Sequence, residues 1–192
     1  MNYKKEWNLK ILIENFSQEV FRNELEEIKI NVNKFITKWE VREDYLKKPE
    51  VLLESLQEYE ELFKDHGLEG RSGLYLGLQW YLNQSDSEIK TKLSKVEEFS
   101  TKLGNDLQFF THRISNIEPK SQKMILDSEI LKEYKHFLEK LFKEGKYLLS
   151  EKEEVILNLK AKTSSVNWVR LTSELLSKEE AKILNIDGEK ET

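Results

Sequence analysis

The sequence predicts an all-α protein, an antiparallel bundle of long amphipathic helices with short terminal helices. Three observations predict it. Apolar residues recur at spacings of three and four along most of the chain. Only two prolines and seven glycines occur in 192 residues, too few for an all-β sandwich. Charged residues make up 35%, with Glu and Lys dominating, as long solvated helix faces require. The 38% hydrophobic fraction and twenty aromatics can fill a sizeable core. With no fixed-period repeat and no Pro/Ser linker, residues 1–192 are expected to form a single helical domain.

The elements follow in order. Trp7-Asn8-Leu9-Lys10-Ile11-Leu12-Ile13 is an apolar lead-in that docks on the bundle. Residues 17–42 carry Phe21, Leu25, Ile28, Val32, Phe35 and Trp39 at a mean step of 3.6, which is one buried helix face. Pro49 suits the first position of a second helix bearing Leu52, Leu56, Tyr59 and Phe63, which His66-Gly67 is expected to cap. Residues 70–83 alternate apolar and polar like a strand, yet a lone strand has no partner here, so they are assigned to a buried helix. Gly73 and Gly77 there would let helices approach closely.

The longest seam lies in residues 85–119. Ile89, Leu93, Val96, Phe99, Leu103, Leu107, Phe110, Ile114 and Ile117 average 3.5 residues apart. At about 1.5 Å per residue this seam is roughly 40 Å long. Ser85-Asp86-Ser87-Glu88 reads as its capping box and Pro119 as its stop. Residues 121–143 follow with a stripe of Ile130, Tyr134, Phe137 and Leu141, widened by Leu131, Leu138 and Phe142, and Gly145 ends it. Ser150-Glu151-Lys152-Glu153 opens a helix through Val155, Ile156 and Leu159. Ser164-Ser165 restarts the chain as a helix with Val166, Trp168, Val169, Leu171 and Leu175. Ser177-Lys178-Glu179-Glu180 opens a last one carrying Ile183 and Leu184.

Charge and composition exclude several functions. A net charge of -5 and a pI near 5.5 give no electrostatic footprint for nucleic acid. Without cysteine there is no disulfide framework, thiolate metal site or cysteine nucleophile. The first seven residues lack the apolar stretch of a signal peptide, and the longest apolar run, residues 74–82, is far short of a membrane span. A cytoplasmic protein with no membrane contact is expected.

No catalytic, cofactor-binding or metal-ligating residue emerges. Glu133-Tyr134-Lys135-His136 has the Glu-x-x-His spacing of di-iron bundles, but such sites need two copies and two further glutamates. His136 is therefore expected to be structural, His112 to pack or be solvated, and His66 to sit at a helix C-terminus, where the dipole favours an imidazolium. Glu58, Glu60 and Glu61 are assigned to a solvated face. Phe99, Phe109, Phe110, Trp80 and Tyr81 are assigned to the core. Neither a Gly-x-x-x-x-Gly-Lys loop, a Gly-x-Ser-x-Gly elbow nor a His-Glu-x-x-His helix occurs in these residues.

A set of segments points further. Trp7-Asn8-Leu9-Lys10-Ile11-Leu12, Leu74-Tyr75-Leu76, Asp86, Val96-Glu97-Glu98-Phe99, Leu107-Gln108-Phe109-Phe110 and Leu131-Lys132-Glu133-Tyr134 through Glu139 appear in order. Tyr147-Leu148-Leu149-Ser150-Glu151-Lys152-Glu153-Glu154 and Lys162-Thr163-Ser164-Ser165-Val166-Asn167-Trp168-Val169-Arg170-Leu171 follow. Together they resemble the N-terminal helical region of the oligoendopeptidase F family of thimet-type zinc metallopeptidases. The resemblance implies a non-catalytic lobe that walls a channel for short peptides, next to a catalytic region that carries the zinc. The 192 residues end before that region would begin, so no zinc ligand has a counterpart here. The implied partners are a peptidase catalytic region, covalently linked or in trans, and short peptides. Whether the assembled protein acts as an enzyme is left open, and a stand-alone helical scaffold that binds a protein partner is the alternative.

Overall fold

Ser17 opens the first long helix by accepting the Val20 N–H at 3.2 Å on its hydroxyl. From there helix α1, Gln18–Trp39, turns Val32, Phe35 and Trp39 fully inward. The computed structural model describes residues 8–179, 183–184 and 190–191. Over them the protein is all-α. Helix α2, Pro49–Glu61, has proline at its first turn as expected. Helix α3, Gly70–Leu82, is the segment whose pattern also fitted a strand. Then come α4, Ser87–Ser115; α5, Pro119–Leu126; α6, Lys135–Glu144; α7, Glu151–Ala161; and α8, Asn167–Leu176. No helix among the described residues is long and apolar enough to cross a membrane.

The seam of α4 serves two cores. Its C-terminal half sends Leu103, Leu107, Phe110 and Ile114 into a cluster with Val32, Phe35, Trp39, Leu52, Leu56, Leu131 and Leu138. Its N-terminal half sends Leu93 and Val96 against Leu76 and Trp80 of α3. Phe110 is the aromatic hub: its ring centroid lies 5.1 Å from Phe35, 5.5 Å from Tyr45 and 4.9 Å from Tyr59. Such pairs add about 0.5–1.5 kcal/mol each beyond their buried area. Tyr45, fully buried, comes from a 3-10 turn at Asp44–Leu46 in which the sequence shows no periodicity.

Several expectations are corrected. Asp86, not Ser85, caps α4: its carboxylate accepts from the N–H groups of Glu88 at 2.9 Å and Ile89 at 3.0 Å. Pro119 opens α5, while α4 has already ended at Ser115. Helix α2 stops at Glu61, so His66-Gly67 does not cap it. His66 and Gly67 form a turn in the left-handed region, with φ of 69° and 66°. Of the expected stripe, Leu141 is buried and Tyr134 and Phe137 pack partly against the core beside Leu131, Leu138 and Phe142, but Ile130 is exposed. The cause is a 3-10 stretch, Glu129–Tyr134, whose three residues per turn rotate everything after it relative to an α-helix.

Helix α3 is apolar all round but not buried all round: Leu76 and Trp80 face inward, while Leu74, Tyr81 and Leu82 are exposed. Gly73 does allow close approach, since a Cβ there would lie 3.0 Å from the Val96 side chain; at Gly77 there is only open space. Ser164 and Ser165 do not restart the chain. A π-helical stretch, Lys162–Val166, joins α7 to α8, and the Ser164 hydroxyl donates backward to the Lys160 carbonyl at 2.9 Å. Ser177 likewise ends a helix rather than opening one. Ile183–Leu184 pairs antiparallel with Lys190–Glu191 as two short strands instead of continuing as helix. Trp7 of the lead-in and Glu180 of the last capping box lie outside the described residues.

Candidate functional site

A groove of about 1220 Å³ lies between residues 12–15, α1 and the end of α2. Six carboxylates line it, from Glu14, Glu24, Glu27, Glu58, Glu61 and Asp65, against Lys34, Lys38 and Arg71. Helix periodicity brings the α1 side chains to one wall, and the Pro49 start sets the phase of α2 on the other.

Glu58 is half-exposed, and both of its carboxylate oxygens are engaged. Lys38 Nζ donates to its Oε1 at 2.6 Å and Trp39 Nε1 to its Oε2 at 2.8 Å. Lys38 also donates to Glu54 Oε1 at 2.7 Å. The hydrogen bonds to Glu54 and Glu58 raise the Lys38 pKa. Burial pushes the Glu58 carboxyl up, but the bonds from Lys38 and Trp39 outweigh it and hold the group below the usual range. Both oxygens are engaged, so Glu58 is a tie between α1 and α2 and is not poised as a base. Glu60 is likewise structural: it accepts the Tyr134 hydroxyl at 2.5 Å.

A second carboxylate, Glu24, accepts from the N–H groups of Arg71 at 2.8 Å and Ser72 at 3.0 Å. It caps α3 from another helix, which the sequence could not reveal because the partners are 47 and 48 residues away.

The histidines do not converge. His66 is exposed in the turn before α3. His112, near the end of α4, bonds through Nε2 to the Leu149 carbonyl oxygen at 3.1 Å and ties α4 to the entry of α7. Glu133 and His136 are both exposed, and they straddle the junction between the 3-10 stretch and α6, so they do not share one regular helix. Among the described residues no group of three or more His, Cys, Asp or Glu could hold a metal ion.

Comparison with known proteins bears on this arrangement. Residues 113–180 match the family model described as Oligopeptidase F, the N-terminal model of its peptidase family. The chain is similar to the N-terminal region of oligoendopeptidase F. An oligoendopeptidase F homolog of Borreliella burgdorferi is 29% identical over 157 residues, which cover 82% of this chain. Those residues are 25% of that relative, so the chain spans about a quarter of the oligoendopeptidase F homolog it matches. No solved structure matches the chain. The oligoendopeptidase F match takes in the last turn of α4 and all of α5, α6, α7 and α8.

Proposed function

We propose that the chain, residues 1–192 as one domain, is the non-catalytic helical lobe of an oligoendopeptidase F-like zinc metallopeptidase of the cytoplasm. In this reading it supplies one wall of a channel that admits short peptides. The observation that carries the reading is the similarity to an oligoendopeptidase F homolog over 82% of the chain, together with the match of residues 113–180 to the family's N-terminal model. The long groove along α1 fits a wall role, because two of its carboxylates, Glu24 and Glu58, tie helices together and shape the surface.

Metal analysis and peptide assays test it. The purified chain is expected to retain no stoichiometric zinc and to cleave no peptide. Hydrolysis by this chain that a chelator removes overturns the non-catalytic part. For the wall, a polypeptide that joins this lobe to a catalytic region is expected to cleave short peptides and spare folded proteins. Equal cleavage of both overturns it.

The alternative, a helical scaffold for a protein partner, draws support from the exposed apolar side of α8. Reading the gene separates the two. A frame that continues into His-Glu-x-x-His favours the lobe, and a stop codon after Thr192 favours the scaffold.

A further inference from the structure

We propose that the outer face of α8, extended by Ile156 and Leu157 of α7, is the surface on which the peptidase catalytic region docks. The proposal rests on the lobe reading above and names the contact that reading leaves open.

Helix α8 lies on α4 with its polar side inward. Arg170 donates to Glu97 at 2.5 Å and to the Ser94 hydroxyl at 3.4 Å, and Lys90 donates to Glu174 at 2.5 Å. At 100° per residue, Arg170, Ser173 and Glu174 share one arc, and Trp168, Leu171, Leu175 and Leu176 occupy the other side. The apolar side is the exposed one: Trp168 is 66% exposed, Val169 64%, Leu175 57% and Leu176 69%. A surface helix of a finished structure shows the opposite arrangement. Exposed apolar side chains gathered on one side of a helix mark a contact surface.

The occupant is argued from what the chain resembles. The family match covers residues 113–180, so α7 and α8 belong to the part held in common with oligoendopeptidase F. The matched stretch of the Borreliella burgdorferi relative is 25% of its length, and the remainder is ample to cover the strip. A second copy of this chain is a poorer occupant. A strip from Ile156 to Leu176, about 30 Å long and about 10 Å wide, buries roughly 600 Å² over both partners, below the roughly 1,200 Å² at the lower end of stable interfaces. A catalytic region can close over the edges of the strip as well.

The test uses the lack of cysteine in the chain. Leu175→Cys and, as control, Lys132→Cys are made in the 192-residue chain. Both are also made in a hybrid where this chain replaces the matched stretch of the Borreliella burgdorferi relative. Iodoacetamide labelling is read by mass spectrometry on the peptides that contain positions 175 and 132. The expected result is labelling at 175 at least tenfold slower in the hybrid, with 132 unchanged. Equal labelling at 175 in a hybrid that hydrolyses peptides overturns the docking face and leaves the lobe reading standing. A hybrid that neither hydrolyses nor protects, or one recovered only as aggregate, counts against both. Protection at 175 in the isolated chain that rises with its concentration assigns the face to a second copy and overturns the proposal without any hybrid.

Discussion

A Cβ on Gly145 would collide with the carbonyl oxygen of Ser115, a backbone atom that cannot step aside. Gly145→Ala is therefore expected to cost about 1–3 kcal/mol in urea unfolding. Gly77→Ala is expected to gain about 0.5–1 kcal/mol, because its helical site faces open space. Equal shifts for the two would contradict the packing described. Tyr134 offers a pH test. Burial, and then the hydrogen bond to Glu60, push its hydroxyl up from 10.0 to about 12. A folded-state value above the unfolded one means that this bond stabilises fully below pH 10 and is lost as pH rises through about 12. The stability gap between the wild type and Tyr134→Phe should thus hold at neutral pH and close between those values; a gap that persists at pH 12 refutes it. Pro49 and Ser17 were legible in the sequence because their effects are local. The burial of Tyr45 and the locking of Glu58 were not, since both depend on residues far along the chain.

Among the elements, α3 depends on a cap from outside itself. Replacing the Glu24 carboxylate leaves the Arg71 and Ser72 N–H groups without their acceptor. Glu24→Ala is expected to cost about 1–2 kcal/mol, with faster hydrogen exchange concentrated in Gly70–Leu82. Unchanged exchange there would show that water replaces the carboxylate without loss. Helix α8 depends on charge instead. Raising salt from about 0.05 to 1 M shortens the screening length from over 10 Å to about 3 Å. Exchange in Asn167–Leu176 should rise several-fold while the Leu103 to Phe110 turns of α4 stay protected. Parallel responses would show that α8 is held by something other than Arg170–Glu97 and Lys90–Glu174. The α4 seam was legible because eight apolar residues from Ile89 to Ile114 kept one period. Ile130 was misplaced because a 3-10 stretch changes the period before α6, and apolar spacing alone carries no mark of that change.

For the molecule as a whole, α4 is the shared member of both cores, so the two clusters stand or fall on one helix. The family resemblance was legible from dispersed segments, yet the groove was not, because its walls come from α1 and α2 and meet only in the fold. The inverted side of α8 was equally hidden: the sequence shows an amphipathic helix but not which side meets its neighbour. The π-helical stretch Lys162–Val166 gives that inversion a mechanical meaning. It acts as a phase shifter in an otherwise continuous rod, and its one extra residue sets the angle at which α8 emerges. Deleting Ser165 would let the rod wind as plain α-helix and turn α8 by about 100°. That rotation would move the Arg170 and Glu174 side chains away from Glu97 and Lys90 and swing part of the Trp168 face toward α4. One residue of chain length thus chooses which side of a helix the molecule keeps for itself and which it offers outward.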